Sequence, residues 1–259
     1  MRLIALALAC VLAGGAARAA NHTESVEYDA GGKTMIGYLA YDDSTKDIRP
    51  GVLVVHDWYG LGPYAKKRAE QLAGLGYVAF AVDMYGKGLY VATAAEAKPL
   101  AMGLKGDLPL MRSRVQAALD VLKKNSLADK SRIAAIGYCF GGTTVLELAR
   151  SGADIKGAVS FHGGLATANP SDAKNIKAKV LALHGADDPN VPTEEVAGFE
   201  KEMRDAKVDW QLIAYGGAVH SFTNPDAGND PSKGVAYNEA ADRRSWAAMR
   251  SFFDELFKR

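Results

Sequence analysis

The chain has 259 residues, of which 48% are hydrophobic, 24% charged and 8% aromatic, a balance that fits a folded globular protein and excludes a disordered one. A formal net charge of +1 supplies no broad field to hold nucleic acid or an acidic membrane surface, so neither is expected as a partner. The length suits one large α/β domain with ample material for a buried core.

Met1-Arg2 gives a positive start, Leu3 to Ala13 is an uninterrupted apolar run, and small residues fill Gly14 to Ala20. These three parts predict a secretory signal peptide over residues 1–19, cleaved after Ala17-Arg18-Ala19, and export to the periplasm or beyond. The apolar run falls short of the roughly 20 residues of a membrane span, and no later segment supplies one. Without Arg2 and Arg18, the 31 basic residues become 29, set against 30 acidic ones. Cys10 is lost as well, leaving Cys139 as the only mature cysteine and no intramolecular disulfide. A lone thiol in an oxidising compartment is either buried and inert or put to use.

In the expected mature domain, residues 20–259, Glu24–Tyr28 and Thr34–Tyr41 alternate like strands around an Asp29-Ala30-Gly31-Gly32 turn, predicting an antiparallel hairpin. Gly51 to Val55 is continuously apolar, the mark of a strand buried on both faces. A helix over Tyr64–Leu75 closed by Gly76 follows, then a buried strand over Tyr77–Val82 and helices over Ala94–Leu104 and Leu110–Lys123. Strands at Ile133–Ile136, Gly157–Phe161, Val180–Leu183 and Trp210–Tyr215 alternate with helices at Gly141–Arg150, Glu194–Asp205 and Tyr237–Phe257. The alternation predicts one α/β domain with a mostly parallel central sheet and helices on both faces. Ligands of such sheets sit beyond the carboxyl ends of the strands, so those ends carry the candidate chemistry.

Gly137-Tyr138-Cys139-Phe140-Gly141-Gly142 has the G-x-S-x-G spacing of a nucleophile elbow with cysteine in the serine position. A sharp strand-to-helix turn strains its central residue, and glycines on either side avoid collisions. The turn also sets the thiol at a helix N-terminus, which favours thiolate. After Val180–Leu183, the run His184-Gly185-Ala186-Asp187-Asp188-Pro189 offers an acid to orient an imidazole. Asp188 is the better candidate because Pro-Asn-Val-Pro follows it, and Asp187 is the alternative. His220 comes third, in a glycine-rich loop after Trp210–Tyr215. The order Cys139, Asp188, His220 is the nucleophile–acid–histidine order of the α/β-hydrolases. After the first buried strand, His56-Asp57-Trp58-Tyr59-Gly60 would supply the Trp58 amide to an oxyanion hole shared with the Phe140 amide. Asp57 is either a surface acid or faces the thiol. Tyr85, His162 and Phe222 lie near strand ends and are candidate walls of a substrate pocket.

These residues resemble the dienelactone hydrolase family over nearly all of the expected mature chain. The resemblance rests on Val-Leu-Val-Val-His-Asp-Trp-Tyr-Gly, Asp83-Met84-Tyr85, Gly-Tyr-Cys-Phe-Gly-Gly, His-Gly-Ala-Asp-Asp-Pro-Asn-Val-Pro and Gly-Ala-Val-His-Ser-Phe. It implies an α/β-hydrolase fold, a Cys139–His220–Asp188 triad and, at Asp57, an acid that hydrogen-bonds the resting thiol. The best-known members carry the longer Glu at that position. Members that open dienelactone hold its carboxylate with arginines, one shortly after His-Ser-Phe and one before the elbow. Here Thr223-Asn224 follow His-Ser-Phe, and Met84 to Leu110 contains no arginine. The resemblance therefore implies a small-molecule ester or lactone hydrolase using an acyl-thioester intermediate, on a substrate other than dienelactone.

No cofactor is expected. A zinc hydrolase would need a ligand pattern such as H-x-x-x-H or paired cysteines, and neither occurs. Two alternatives remain open on sequence: a non-catalytic small-molecule-binding protein on a hydrolase scaffold, and an acyltransferase with the same triad. Sequence leaves the oligomeric state open, with a monomer as the default expectation.

Overall fold

The computed structural model describes residues 21–258, so the expected signal peptide lies outside the described residues. Strands β1 (Asn21–Asp29) and β2 (Thr34–Asp42) form the expected hairpin, paired antiparallel along their whole length. Its turn places Gly31 and Gly32 at φ 67° and 81°, backbone that glycine adopts without strain.

Beyond the hairpin come β3 (Arg49–Val55), α1 (Pro63–Ala73), β4 (Val78–Val82), α2 (Ala94–Lys105), α3 (Leu108–Lys124) and β5 (Ala128–Tyr138). Then follow α4 (Phe140–Arg150), β6 (Gly157–Phe161), β7 (Lys179–Gly185), α5 (Thr193–Asp205), β8 (Trp210–Tyr215) and α6 (Glu239–Phe257). The eight strands make one sheet in the order β1-β2-β4-β3-β5-β6-β7-β8. Strand β2 meets β4 antiparallel, and every pair from β4 onward is parallel.

The two faces follow from alternation along the buried strands. Leu53 and Val55 of β3 turn to one side, where they pack with Phe80 and with Met111, Val115 and Leu119 of α3. Val52 and Val54 turn to the other, towards Ala69 and Leu72 of α1 and a cluster that includes Met249 and Phe253 of α6. Helix α5 closes the far end of the first side through Phe199 and Met203 against Val180 and Ala182. A buried ionic cluster ties α4 to its neighbours: Arg150 donates to Glu147 at 3.0 Å and twice to Glu202 at 2.8 Å. Arg112 of α3 donates to the other oxygen of Glu147 at 2.6 and 3.0 Å.

Strand β3 is flanked by β4 on one side and β5 on the other, so the chain reverses its direction of winding there. The crevice at such a reversal, outside the carboxyl ends of β3 and β5, is where this architecture holds ligands.

Candidate active site

The turn from β5 into α4 places Cys139 at the N-cap of α4 with φ 54° and ψ −114°, a left-handed conformation that a non-glycine residue adopts only when its surroundings impose it. Flanking glycines make the turn possible. A Cβ on Gly137 would lie 2.0 Å from Gly141 O, and one on Gly141 would lie 2.2 Å from Val55 O. Neither approach is open to any other residue. The thiol therefore stands over the first turn of α4, beside the free amides of the helix N-terminus.

His220 Nε2 lies 3.0 Å from Cys139 Sγ, and its Nδ1 lies 2.8 Å from Asp188 Oδ2. Asp188 is buried, and its Oδ1 accepts the Asn190 amide at 2.8 Å, which fixes the carboxylate plane. Asp187 points outward and accepts the Gly217 amide at 3.0 Å, so of the two adjacent acids it is Asp188 that faces the imidazole. The His220 loop is pinned by its own backbone, with His220 N donating to Gly234 O at 3.2 Å and Ala236 N donating to His220 O at 3.1 Å. Burial alone would push the His220 imidazole down. The charges of Cys139 and Asp188, with hydrogen bonds to both, override it and raise His220 to about 10.

The loop after β3 is held in place from behind. His56 Nδ1 bonds Asp57 O while its Nε2 accepts the Met84 amide at 3.2 Å. Both partners suit a neutral ring, and burial lowers His56 to about 4. The Tyr85 hydroxyl donates to Trp58 O at 3.0 Å. The loop thus presents the Trp58 amide beside the elbow. Neither that amide nor the Phe140 amide has a protein acceptor among the described residues.

Two expectations are corrected here. Asp57 does not meet the thiol: its Oδ1 accepts the Tyr59 amide at 2.9 Å, and the sulfur's hydrogen-bond partner is His220. Aspartate is one methylene shorter than glutamate, and its carboxylate is spent on its own loop. Asp57 still lines the cavity, and burial raises it to about 6. Tyr85, His162 and Phe222 are not pocket walls; all three are buried behind the site. Tyr85 turns back to Trp58 O. His162, at φ 42°, turns its ring so that Nδ1 accepts the Cys139 amide at 3.2 Å and Nε2 meets Thr223 Oγ1 at 2.7 Å. Phe222 stacks edge-on against that ring at 5.1 Å.

In front of the sulfur lies a cavity of about 840 Å³, lined by His56, Asp57, Trp58, Cys139, Phe140 and His220 at its base. Its outer wall includes Tyr90, Lys98, Met102, Lys105 and Val235, none of which carries a motif. The one signal for them was the spacing of Lys98, Met102 and Lys105, which fall on one face of α2. Among the described residues, no three His, Cys, Asp or Glu side chains are grouped to hold a metal ion.

The pattern described as "Dienelactone hydrolase family" matches residues 35–257. A solved dienelactone hydrolase-like promiscuous phosphotriesterase from metagenomic libraries superposes with a TM-score of 0.87 at 44% identity, covering 92% of this chain and 99% of its own. A protein of Aquifex aeolicus named "Putative carboxymethylenebutenolidase" is 29% identical over 91% of this chain and 99% of its own. A Bradyrhizobium protein named "Probable 2-oxo-3-(5-oxofuran-2-ylidene)propanoate lactonase" is 28% identical over 76% of this chain and 82% of its own.

Proposed function

The chain belongs to the dienelactone hydrolase family, and from that premise we propose that it hydrolyses a carboxylic ester or lactone through a Cys139–His220–Asp188 triad. The observation that carries the reading is the continuous line from Asp188 Oδ2 through His220 to Cys139 Sγ, with contacts of 2.8 and 3.0 Å, at the base of the large cavity.

The proton shared by the Cys139–His220 pair lies on His220 Nε2 when the Cys139 sulfur attacks the substrate carbonyl as thiolate. The Trp58 and Phe140 amides receive the oxyanion; a single such donor typically contributes about 3–4 kcal/mol of barrier lowering. Asp188 holds the imidazole with Nδ1–H towards itself and stabilises the imidazolium. Collapse of the tetrahedral intermediate breaks the bond to the alcohol oxygen, which takes the proton from His220 and leaves, giving a Cys139 thioester. Water then gives its proton to His220 and attacks the thioester. The sulfur leaves, the carboxylic acid departs, and the proton returns to the Cys139–His220 pair.

A thiolate is a better leaving group than an alkoxide, so the first intermediate reverts unless the substrate's own leaving group is good. Aryl esters, enol lactones and thioesters are therefore favoured over amides. The phosphotriesterase relative extends the same reading, because a phosphoryl oxygen can occupy the oxyanion site; an aryl phosphotriester belongs in the first substrate panel.

The test is p-nitrophenyl acetate hydrolysis by the wild type and Cys139→Ala. Turnover that disappears in the variant and survives a chelator supports the reading. Equal turnover in both proteins, or amides cleaved faster than aryl acetates, overturns it.

A further inference from the structure

Large apolar side chains stand exposed around the opening of the cavity, between the charged ones. Tyr90, Met102 and Val235 are 53%, 56% and 39% exposed, and all three line the cavity. With Leu89, next to Tyr90, they account for every exposed large hydrophobic side chain among the described residues except Ile48. Scattered exposed apolar residues are normal, but their concentration around one opening marks a binding surface.

Tyr90 is also built into position. Val91 N donates to Tyr59 O at 2.9 Å and Leu61 N to Leu89 O at 3.2 Å, tying the Tyr90 segment to the chain just beyond Trp58. Its ring lies directly on Gly62, where an added Cβ would sit 2.3 Å from ring carbon Cε2. One face of the ring is thus seated against backbone, beside the opening. Met102, an unbranched thioether on α2, supplies an adaptable surface.

Of the Lys, Arg, Asp and Glu side chains that line the same cavity, two are basic and two acidic. Lys98 and Lys105 are set against Asp57 and Asp226. The guanidinium groups behind the wall are engaged elsewhere: Arg68 donates to Thr223 O at 2.9 Å and to Asp242 at 2.6 Å, and Arg114 donates to Met84 O at 2.8 Å. No arginine lines the cavity to grip a carboxylate with two parallel hydrogen bonds.

We propose that the substrate is an uncharged ester or lactone with a bulky apolar group, an aromatic ring system or a medium-length acyl chain, lying across Tyr90, Met102 and Val235. This inference rests on the ester hydrolysis proposed above. The experiment measures kcat/KM for p-nitrophenyl acetate, butyrate and hexanoate, for p-nitrophenyl hydrogen glutarate as an anionic comparator, and for 2-naphthyl against phenyl acetate. The naphthyl pair covers the case in which the apolar group is on the alcohol side.

Full burial of one methylene corresponds to about a fourfold gain. Hexanoate is expected to exceed acetate by about tenfold or more, or naphthyl to exceed phenyl by a similar factor, with the glutarate slower than hexanoate. In the double variant Tyr90→Ala/Met102→Ser, the favoured ratio should fall at least severalfold; being a ratio, it does not depend on how much protein is folded. Flat ratios in both series, a faster anionic ester, or a ratio unchanged in the variant overturns the inference. If no ester shows Cys139-dependent turnover, the hydrolytic reading itself fails; if acetate does and the series are flat, only the substrate class fails.

Discussion

The backbone N–H of Cys139 is shared between Phe161 O at 3.0 Å and His162 Nδ1 at 3.2 Å, so one histidine touches the candidate nucleophile through its main chain while another, His220, faces its sulfur. An amide can only donate, which requires a lone pair on Nδ1 and leaves the proton on Nε2. That proton meets Thr223 Oγ1 at 2.7 Å, and burial holds the ring well below the usual histidine range.

Thr223→Val should therefore leave a buried N–H without an acceptor and also remove the 2.6 Å partner of the Tyr64 hydroxyl, at a combined cost of about 1–3 kcal/mol or more. Urea unfolding of the variant should show a lower midpoint with an unchanged slope, and kcat should fall more than KM rises. Thr223→Ser keeps the hydroxyl and should recover most of both. Equal behaviour of the two variants would remove this role for His162.

Asp57 offers a pH-dependent effect of the opposite sense to an ordinary surface acid. Burial raises its carboxyl from 3.8 to about 6, so the folded protein binds this proton more tightly than the unfolded chain. The stabilisation is fully present below pH ~4 and is lost as pH rises through ~6. At pH 8 the ionised group is a burden of up to ~3 kcal/mol. Asp57→Asn keeps an oxygen for the Tyr59 amide and removes the charge. It should be more stable than wild type at pH 8, with the difference vanishing at pH 4. Thermal melts across that range decide it.

The two adjacent aspartates after β7 should separate cleanly. Asp188→Asn presents either a wrong donor or a neutral acceptor to His220 and should lower kcat by roughly 10²- to 10⁴-fold. Asp187→Asn alters only the contact to the Gly217 amide and should stay within about threefold of wild type. Steady-state kinetics on one aryl ester suffice; comparable losses in both would assign the acid wrongly.

Gly141→Ala tests the close approach of the elbow to the end of β3. The added methyl would meet two backbone oxygens, Val55 O at 2.2 Å and His56 O at 2.5 Å, and neither is free to move as a side chain would. The variant should lose about 3 kcal/mol or more, or fail to fold. A melting temperature near wild type would show that the α4 turn and the β3 loop are less tightly coupled than their packing implies.

The positions of Cys139, Asp188 and His220 were legible because chemistry in this architecture collects at strand ends, and apolar runs locate those ends to within a residue or two. Side-chain direction was not legible. Tyr85, His162 and Phe222 sit at the expected ends, yet a positive φ at His162 and the pull of Trp58 O on Tyr85 turn them behind the site. Asp57 was missed for a related reason, since its short side chain satisfies its own loop first. The polar start of β5 gave no strand signal: only Ala128 and Asp129 pair beyond the irregularity at Pro50/Gly51, and Lys130 to Arg132 have no partner in that register. Tyr90 and Met102 belong to a loop and a helix whose residues have no fixed spacing to the elbow, so only the fold brings them to the opening.

The placement of the three candidate site residues on separate strand ends also sets when the candidate site can first assemble. Cys139 follows β5, Asp188 follows β7 and His220 follows β8, the outermost strand of the sheet. A chain emerging from the ribosome makes the thiol first and its imidazole last. Until β8 has paired along β7, nothing holds His220 between Cys139 and Asp188. The contacts of 3.0 and 2.8 Å at His220 therefore form only once the outermost strand is in place and the chain beyond it, at Gly234 and Ala236, has closed on the His220 loop.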